Sequence, residues 1–126
     1  MILTIEISET TGHVEVATNI EGKVVMIDKE CVDLVTWFNN YGLKTKYSCR
    51  GGDGQNRFYI MFQDDTKDSD IDRLLTLYHD KFGFIPTKGR FIKWSRWFAG
   101  GVVPNWIYES FSVEEANIDY KKFTLL

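Results

Sequence analysis

A thiol, a hydroxyl, two cations and a cluster of glycines fall close together in Lys46-Tyr47-Ser48-Cys49-Arg50-Gly51-Gly52-Asp53-Gly54, with a third cation, Arg57, just beyond. Glycine tolerates positive φ, so a chain rich in it can turn several backbone N–H groups toward one point. Successive N–H groups turned this way make an anion-binding concavity. Lys46, Arg50 and Arg57 bring positive charge to the same place, and a guanidinium can clamp an anion through two hydrogen bonds. The predicted chemistry is the capture of a phosphate or carboxylate by the N–H groups of Gly51 and Gly52. Lys46, Ser48, Cys49, Arg50 and Arg57 would surround it. The plain alternative is a hairpin loop that uses glycine only to turn. A loop of about eight residues exceeds the usual two to five, and such an excess often serves function.

Cys49 is also a candidate nucleophile, because nearby cations favour a thiolate. It needs a general base, and the two histidines, His13 and His79, are remote in sequence. A small buried residue at a strand end is the role the sequence favours over a nucleophile, and the sequence supports no catalytic assignment. Metal-ligand spacing is absent: two Cys and two His form neither CxxC nor HxxxH. The acidic run Asp64, Asp65, Asp68, Asp70 and Asp72 lacks the glycine and terminal glutamate of a calcium loop. It suits a helix start, where carboxylates meet the positive end of the helix dipole.

Lys88 to Phe98 interleaves basic and aromatic residues, a pattern that stacks bases and clasps a backbone. As a strand it places Arg90, Ile92, Trp94, Arg96 and Phe98 on one face. Phe91, Lys93, Ser95 and Trp97 take the other. Trp94 or Trp97 is the expected stacking residue for a base. A subunit interface and an ordinary amphipathic strand remain alternatives.

These residues need elements to position them. Residues 2–8 alternate as a strand, Val14 and Val16 continue a second, and 23–27 is a compact β-branched run. Asp28 is the expected N-cap of a helix with Cys31, Leu34, Val35 and Phe38 on one face and Gly42 closing it. Residues 43–48 and 57–63 are strands flanking the glycine loop. Ser69 or Asp68 is expected to cap a helix with Ile71, Leu74, Leu75, Tyr78 and Phe82 in register, and Gly83 ends it. Residues 90–98 read as a strand, Gly100-Gly101 as a hairpin turn, and 105–112 as the returning strand. Pro104 suggests an edge or a bulge there. Ser112 and Glu115 resemble a capping box that opens a terminal helix. Taken in order, 23–98 gives β-α-β-β-α-β, the ferredoxin-like order. The expected fold is one α+β domain over 1–126: an antiparallel or mixed sheet with two helices on one face, an added N-terminal hairpin and an extra C-terminal strand. The opposite sheet face would be free for a ligand or for a second subunit in a homo-oligomer.

The 126 residues suffice for one domain with one core. Net charge is −3, which argues against a duplex-DNA binder, since that needs a strongly basic face. No signal peptide and no apolar run long enough to span a membrane are evident, and two cysteines make no disulfide framework, so the expected compartment is a reducing cytoplasm. No cofactor motif is evident. Aromatic residues make up 15% of the chain, a surplus that suits stacking sites and interfaces.

The segment Leu34-Val35-Thr36-Trp37-Phe38-Asn39-Asn40-Tyr41-Gly42-Leu43-Lys44-Thr45-Lys46-Tyr47-Ser48-Cys49-Arg50-Gly51, followed by Phe58-Tyr59-Ile60-Met61-Phe62, resembles small bacteriophage and prophage proteins. Those proteins share a helix ending in Asn and Gly, a Gly-aliphatic-x-Thr-x-x-Ser-Cys-x-Gly strand and loop, and an aromatic strand. A similar Ser-Cys-x-Gly turn looks like one in the wybutosine-synthesising tRNA methyltransferases, but length and the absence of a cofactor site set this chain apart and no activity is carried over. The resemblance implies a phage-type protein in the host cytoplasm. The expected function is binding of a small anionic ligand, a nucleotide, including sequestration of a host defence signal. The alternatives are an inhibitor that binds a host protein and a small enzyme using Cys49 or Asp53.

Overall fold

The computed structural model of the chain describes residues 2–7, 13–51 and 57–126. Strands β1 (Ile2–Ile7), β2 (Val14–Ile20) and β3 (Lys23–Asp28) form an antiparallel sheet in that order. A two-residue turn joins β2 to β3: Glu21 and Gly22 both have positive φ, and Asn19 Oδ1 accepts the Gly22 N–H at 2.9 Å. One 3₁₀ turn, Lys29–Cys31, leads into α1 (Val32–Tyr41). Gly42, at φ 104°, ends α1 in the left-handed conformation, as the sequence predicts.

A second antiparallel sheet holds β4 (Thr45–Cys49), β5 (Phe58–Phe62), β6 (Arg90–Phe98) and β7 (Gly101–Ser110) in the order β4-β5-β7-β6. Helix α2 (Asp68–Phe82) connects β5 to β6, and α3 (Val113–Phe123) follows β7. Ser112 Oγ accepts the Glu115 N–H at 3.2 Å and caps α3 as expected. The residue before α2 is Lys67, so neither Ser69 nor Asp68 is the cap. Asp70 reaches back instead, accepting the Lys67 N–H at 3.1 Å.

Alternation sorts the second sheet's side chains into two faces. Phe58, Ile60, Phe62 and Tyr108 point to one side and pack with Leu34, Val35 and Phe38 of α1, Ile71, Leu74 and Tyr78 of α2, and Ala116 and Phe123 of α3. Three helices therefore contribute to the core on this face, one more than expected.

The architecture is α+β with two antiparallel sheets rather than one. The ferredoxin-like order would bring 23–27 beside β5. Instead β3 pairs with β2, and β7 takes the place beside β5. The final hairpin also shifts: its turn is Ala99-Gly100, both at positive φ, and Gly101 already pairs with Phe98. Pro104 lies within β7, a central strand, but β5 pairs only with Ile107 to Ser110. At Pro104 the β5 side of the strand is open, so the missing N–H breaks no ladder there.

Candidate functional site

The glycine-loop residues sit where the two sheets meet. Strands β3 and β4 are facing edges of different sheets, joined through α1. Contacts at both ends hold them running in the same direction. Lys44 Nζ binds Glu21 at 2.8 and 3.0 Å, and the Arg50 N–H donates to Asp28 Oδ2 at 2.9 Å. Between them lies a cleft of about 490 Å³, with Val35 and Asn39 of α1 in its lining. Asn39 fixes the start of β4 by donating to Val35 O (2.7 Å) and Thr45 Oγ1 (2.9 Å).

Lys46 and Ser48 line this cleft. Lys46 is paired with Asp64 at 3.1 Å. Cys49, Arg50 and Gly51 stand at the Asp28 end, and the predicted cradle is organised differently there. The Arg50 N–H goes to the Asp28 carboxylate, and the Gly51 N–H goes to Cys49 Sγ at 3.4 Å. Both N–H groups are thus donated inside the protein. Gly52, Asp53 and Gly54 lie outside the described residues.

Asp28 does not cap its helix with its side chain. Its Oδ2 lies 2.8 Å from His13 Nδ1, and both residues are only 5% exposed. Donor atoms of His13, Asp28 and Cys49 all fall within 4.8 Å of one another. The fold thereby places beside Cys49 the histidine that sequence distance hid. Cys31 is buried next to this group. Burial pushes its thiol well above the ordinary range, and the Asp28 carboxylate and Cys49 add to the shift. Tyr59, opposite Cys49 in the β4–β5 ladder, also has its hydroxyl pushed up, first by burial and then by Cys49.

Arg57 and Trp94 belong to a different place, the sheet face turned away from the helices. Register aligns Cys49, Tyr59, Glu109 and Arg90 across β4, β5, β7 and β6. Arg57, Tyr59, Arg90, Trp94 and Glu109 surround a hollow of about 390 Å³ floored by Ile107. Glu109 Oε1 accepts from Arg90 Nε at 2.7 Å and from Arg57 Nη1 at 3.4 Å. Two guanidinium groups against one carboxylate leave a net positive charge. The Arg57 guanidinium also stacks over the Phe111 ring, 4.3 Å from its centroid.

Trp94 is 49% exposed at the rim of this hollow. Trp97 is 73% exposed but lies on the opposite face of β6, beside Val102 across the hairpin. The predicted set therefore divides into three groups: Lys46 with Ser48, Cys49 with Arg50 and Gly51, and Arg57 with Trp94. Trp97 stands apart. Strand alternation alone already places Arg90 with Trp94. Glu109 and Tyr59 become visible only with the ladder register, and His13 only with the packing of the two sheets. No helix is long and apolar enough to cross a membrane among the described residues. No family model, no curated protein and no solved structure matches the chain.

Proposed function

We propose that the protein binds a small, flat, anionic ligand of the nucleotide class on the open face of its four-stranded sheet. The observation that carries this reading is the meeting of Arg57 and Arg90 with Trp94 around one hollow. An indole with half its surface free offers a stacking plane, and base–aromatic stacking contributes about 1–3 kcal/mol. Arg90 and Arg57 supply charge-assisted donors for phosphate, held in place by the carboxylate between them. Glu109 is also an acceptor for the N–H edge of a base. A protein of the phage type that held such a ligand without turning it over would act by sequestering it.

Isothermal titration with mono-, di- and cyclic nucleotides tests this. Arg90→Ala is expected to weaken binding by about 1.5–3 kcal/mol, the scale of a hydrogen bond to a charged group, and Trp94→Ala by a similar amount. A nucleotide that binds equally well to both variants would move the site elsewhere. A panel with no binding would end the reading.

The hairpin tip favours a second reading, an inhibitor that docks on a host protein. Trp97 and Val102 pair directly across β6 and β7, and both are exposed. Exposed tryptophan is a common anchor of protein interfaces. Loss of a captured partner on Trp97→Ala, with nucleotide binding absent, would decide for this role.

A further inference from the structure

We propose that His13, Asp28 and Cys49 form a binding site for a divalent metal ion of the zinc class. The three side chains come from the segment before β2, the end of β3 and the end of β4. They offer one nitrogen, one carboxylate oxygen and one sulfur, the donor types that zinc takes. Zinc bonds of about 2.0–2.3 Å set neighbouring donors roughly 3.5 Å apart in a tetrahedron. Donors already within 4.8 Å of one another need only small side-chain adjustments to close on an ion. A metal among them takes the place of the proton that His13 Nδ1 and Asp28 Oδ2 share at 2.8 Å.

The surroundings are built for the anionic form of these ligands. The Arg50 N–H donates to Asp28 Oδ2 at 2.9 Å, and the Gly51 N–H donates to Cys49 Sγ at 3.4 Å. A hydrogen bond to a ligand atom stabilises its charged state and fixes its direction. The second bond depends on glycine. Gly51 has φ +75°, and a Cβ there would stand 2.5 Å from the Arg57 carbonyl carbon and 2.7 Å from the Phe58 nitrogen. The backbone that aims the Gly51 N–H at sulfur therefore has no room for a side chain. His13 and Asp28 are buried, while Cys49 is half-buried and offers the route of entry. Three protein ligands leave a fourth position for water or a bound ligand, the composition of an open rather than a closed zinc site. Binding releases the thiol proton of Cys49 to solvent, and the proton displaced from His13 Nδ1 moves to Nε2, so that the ligand is a neutral imidazole.

The full chain, stripped of metal by chelator, is titrated with Co²⁺ and then with Zn²⁺. The expected result is one equivalent of cobalt with the visible bands of a tetrahedral ion and a sulfur-to-cobalt charge-transfer band, both abolished by zinc. Cys49→Ser should lose the charge-transfer band, and His13→Ala should weaken binding at least tenfold. Cobalt spectra without the sulfur band, or a sulfur band unchanged in Cys49→Ser, would overturn the assignment. Should either variant fail to fold, the unaltered protein decides. Stoichiometric Zn²⁺ must protect Cys49 from alkylation, read by peptide mass, and unprotected Cys49 rejects the site.

Discussion

Asp119 shows how much one residue can organise without contributing to any ligand. Its carboxylate is fully buried and accepts three hydrogen bonds, from Lys88 N and Gly89 N at 2.7 Å each and from the Tyr108 hydroxyl at 2.6 Å. A buried carboxylate is tolerable only when donors replace its water. Here they also fix the chain that immediately precedes Arg90. Gly89 is needed because a Cβ would meet Tyr108 Cζ and its hydroxyl at 2.6 Å. Asp119→Ala leaves two N–H groups and a hydroxyl unpaired, and should cost about 2–4 kcal/mol of stability in urea unfolding. A loss below about 1 kcal/mol would mean that water replaces the carboxylate freely. None of this was legible in sequence, where Asp119 reads as one more charged helix residue. The Ser-Cys-Arg-Gly stretch was legible as a special loop, because glycine marks backbone demands directly. That its N–H groups face Asp28 and Cys49 rather than solvent depends on which strand edge lies opposite.

At the scale of elements, local signals carried far. Helices α1 and α2 follow most of their apolar spacing, although Leu75 is exposed; Gly42 and Gly83 end them, and Ser112 opens α3, as predicted. The pairing of strands was harder to read. A two-residue turn at Glu21-Gly22 closes β2 onto β3 at small entropic cost, whereas insertion of β3 beside β5 requires a long closure. The hairpin wins, and β7 fills the vacant edge of β5. Helix α2 is tied to this sheet by Asp68, which accepts from Lys93 Nζ at 2.6 Å and from Trp106 Nε1 at 2.8 Å. The Lys93 bond first, then the Trp106 bond, hold the Asp68 carboxyl below its usual 3.8. A carboxyl lowered in the folded state stabilises the fold above its unfolded value, and that contribution disappears as pH falls through the lower folded value. Acid titration followed by tryptophan fluorescence should therefore be less steep below about pH 4 in Asp68→Asn than in the unaltered chain. Superimposable acid limbs would show that the tie contributes nothing to the fold's pH dependence.

For the whole molecule, one aromatic cluster joins all three helices to the second sheet. Phe123 stacks on Trp37 at 5.0 Å and lies within 6.5 Å of Phe38, Tyr78, Phe91 and Tyr108. Among the described residues this leaves the far face of the sheet open for the proposed ligand, and it places Tyr108 under the sheet segment that carries Arg90 and Glu109. Burial pushes the hydroxyls of Tyr59, Tyr78 and Tyr108 above the ordinary 10.0. Tyr108 is raised further by the Asp119 carboxylate. The folded chain keeps protons that the unfolded chain releases above pH 10, so this stabilisation is complete below pH 10 and is lost as pH rises. Each such proton contributes a slope of about 1.4 kcal/mol per pH unit to the stability curve. Tyr108→Phe should lower stability at neutral pH, by losing the Asp119 bond, and yet flatten the fall between pH 10 and 11 by about three-quarters of a proton's worth, roughly 1 kcal/mol. Urea unfolding at several alkaline pH values measures both quantities. A variant whose curve stays parallel to that of the unaltered chain would show that Tyr108 ionises before the core opens. The aromatic cluster would then be too loose to hold Gly89 and Arg90 in register.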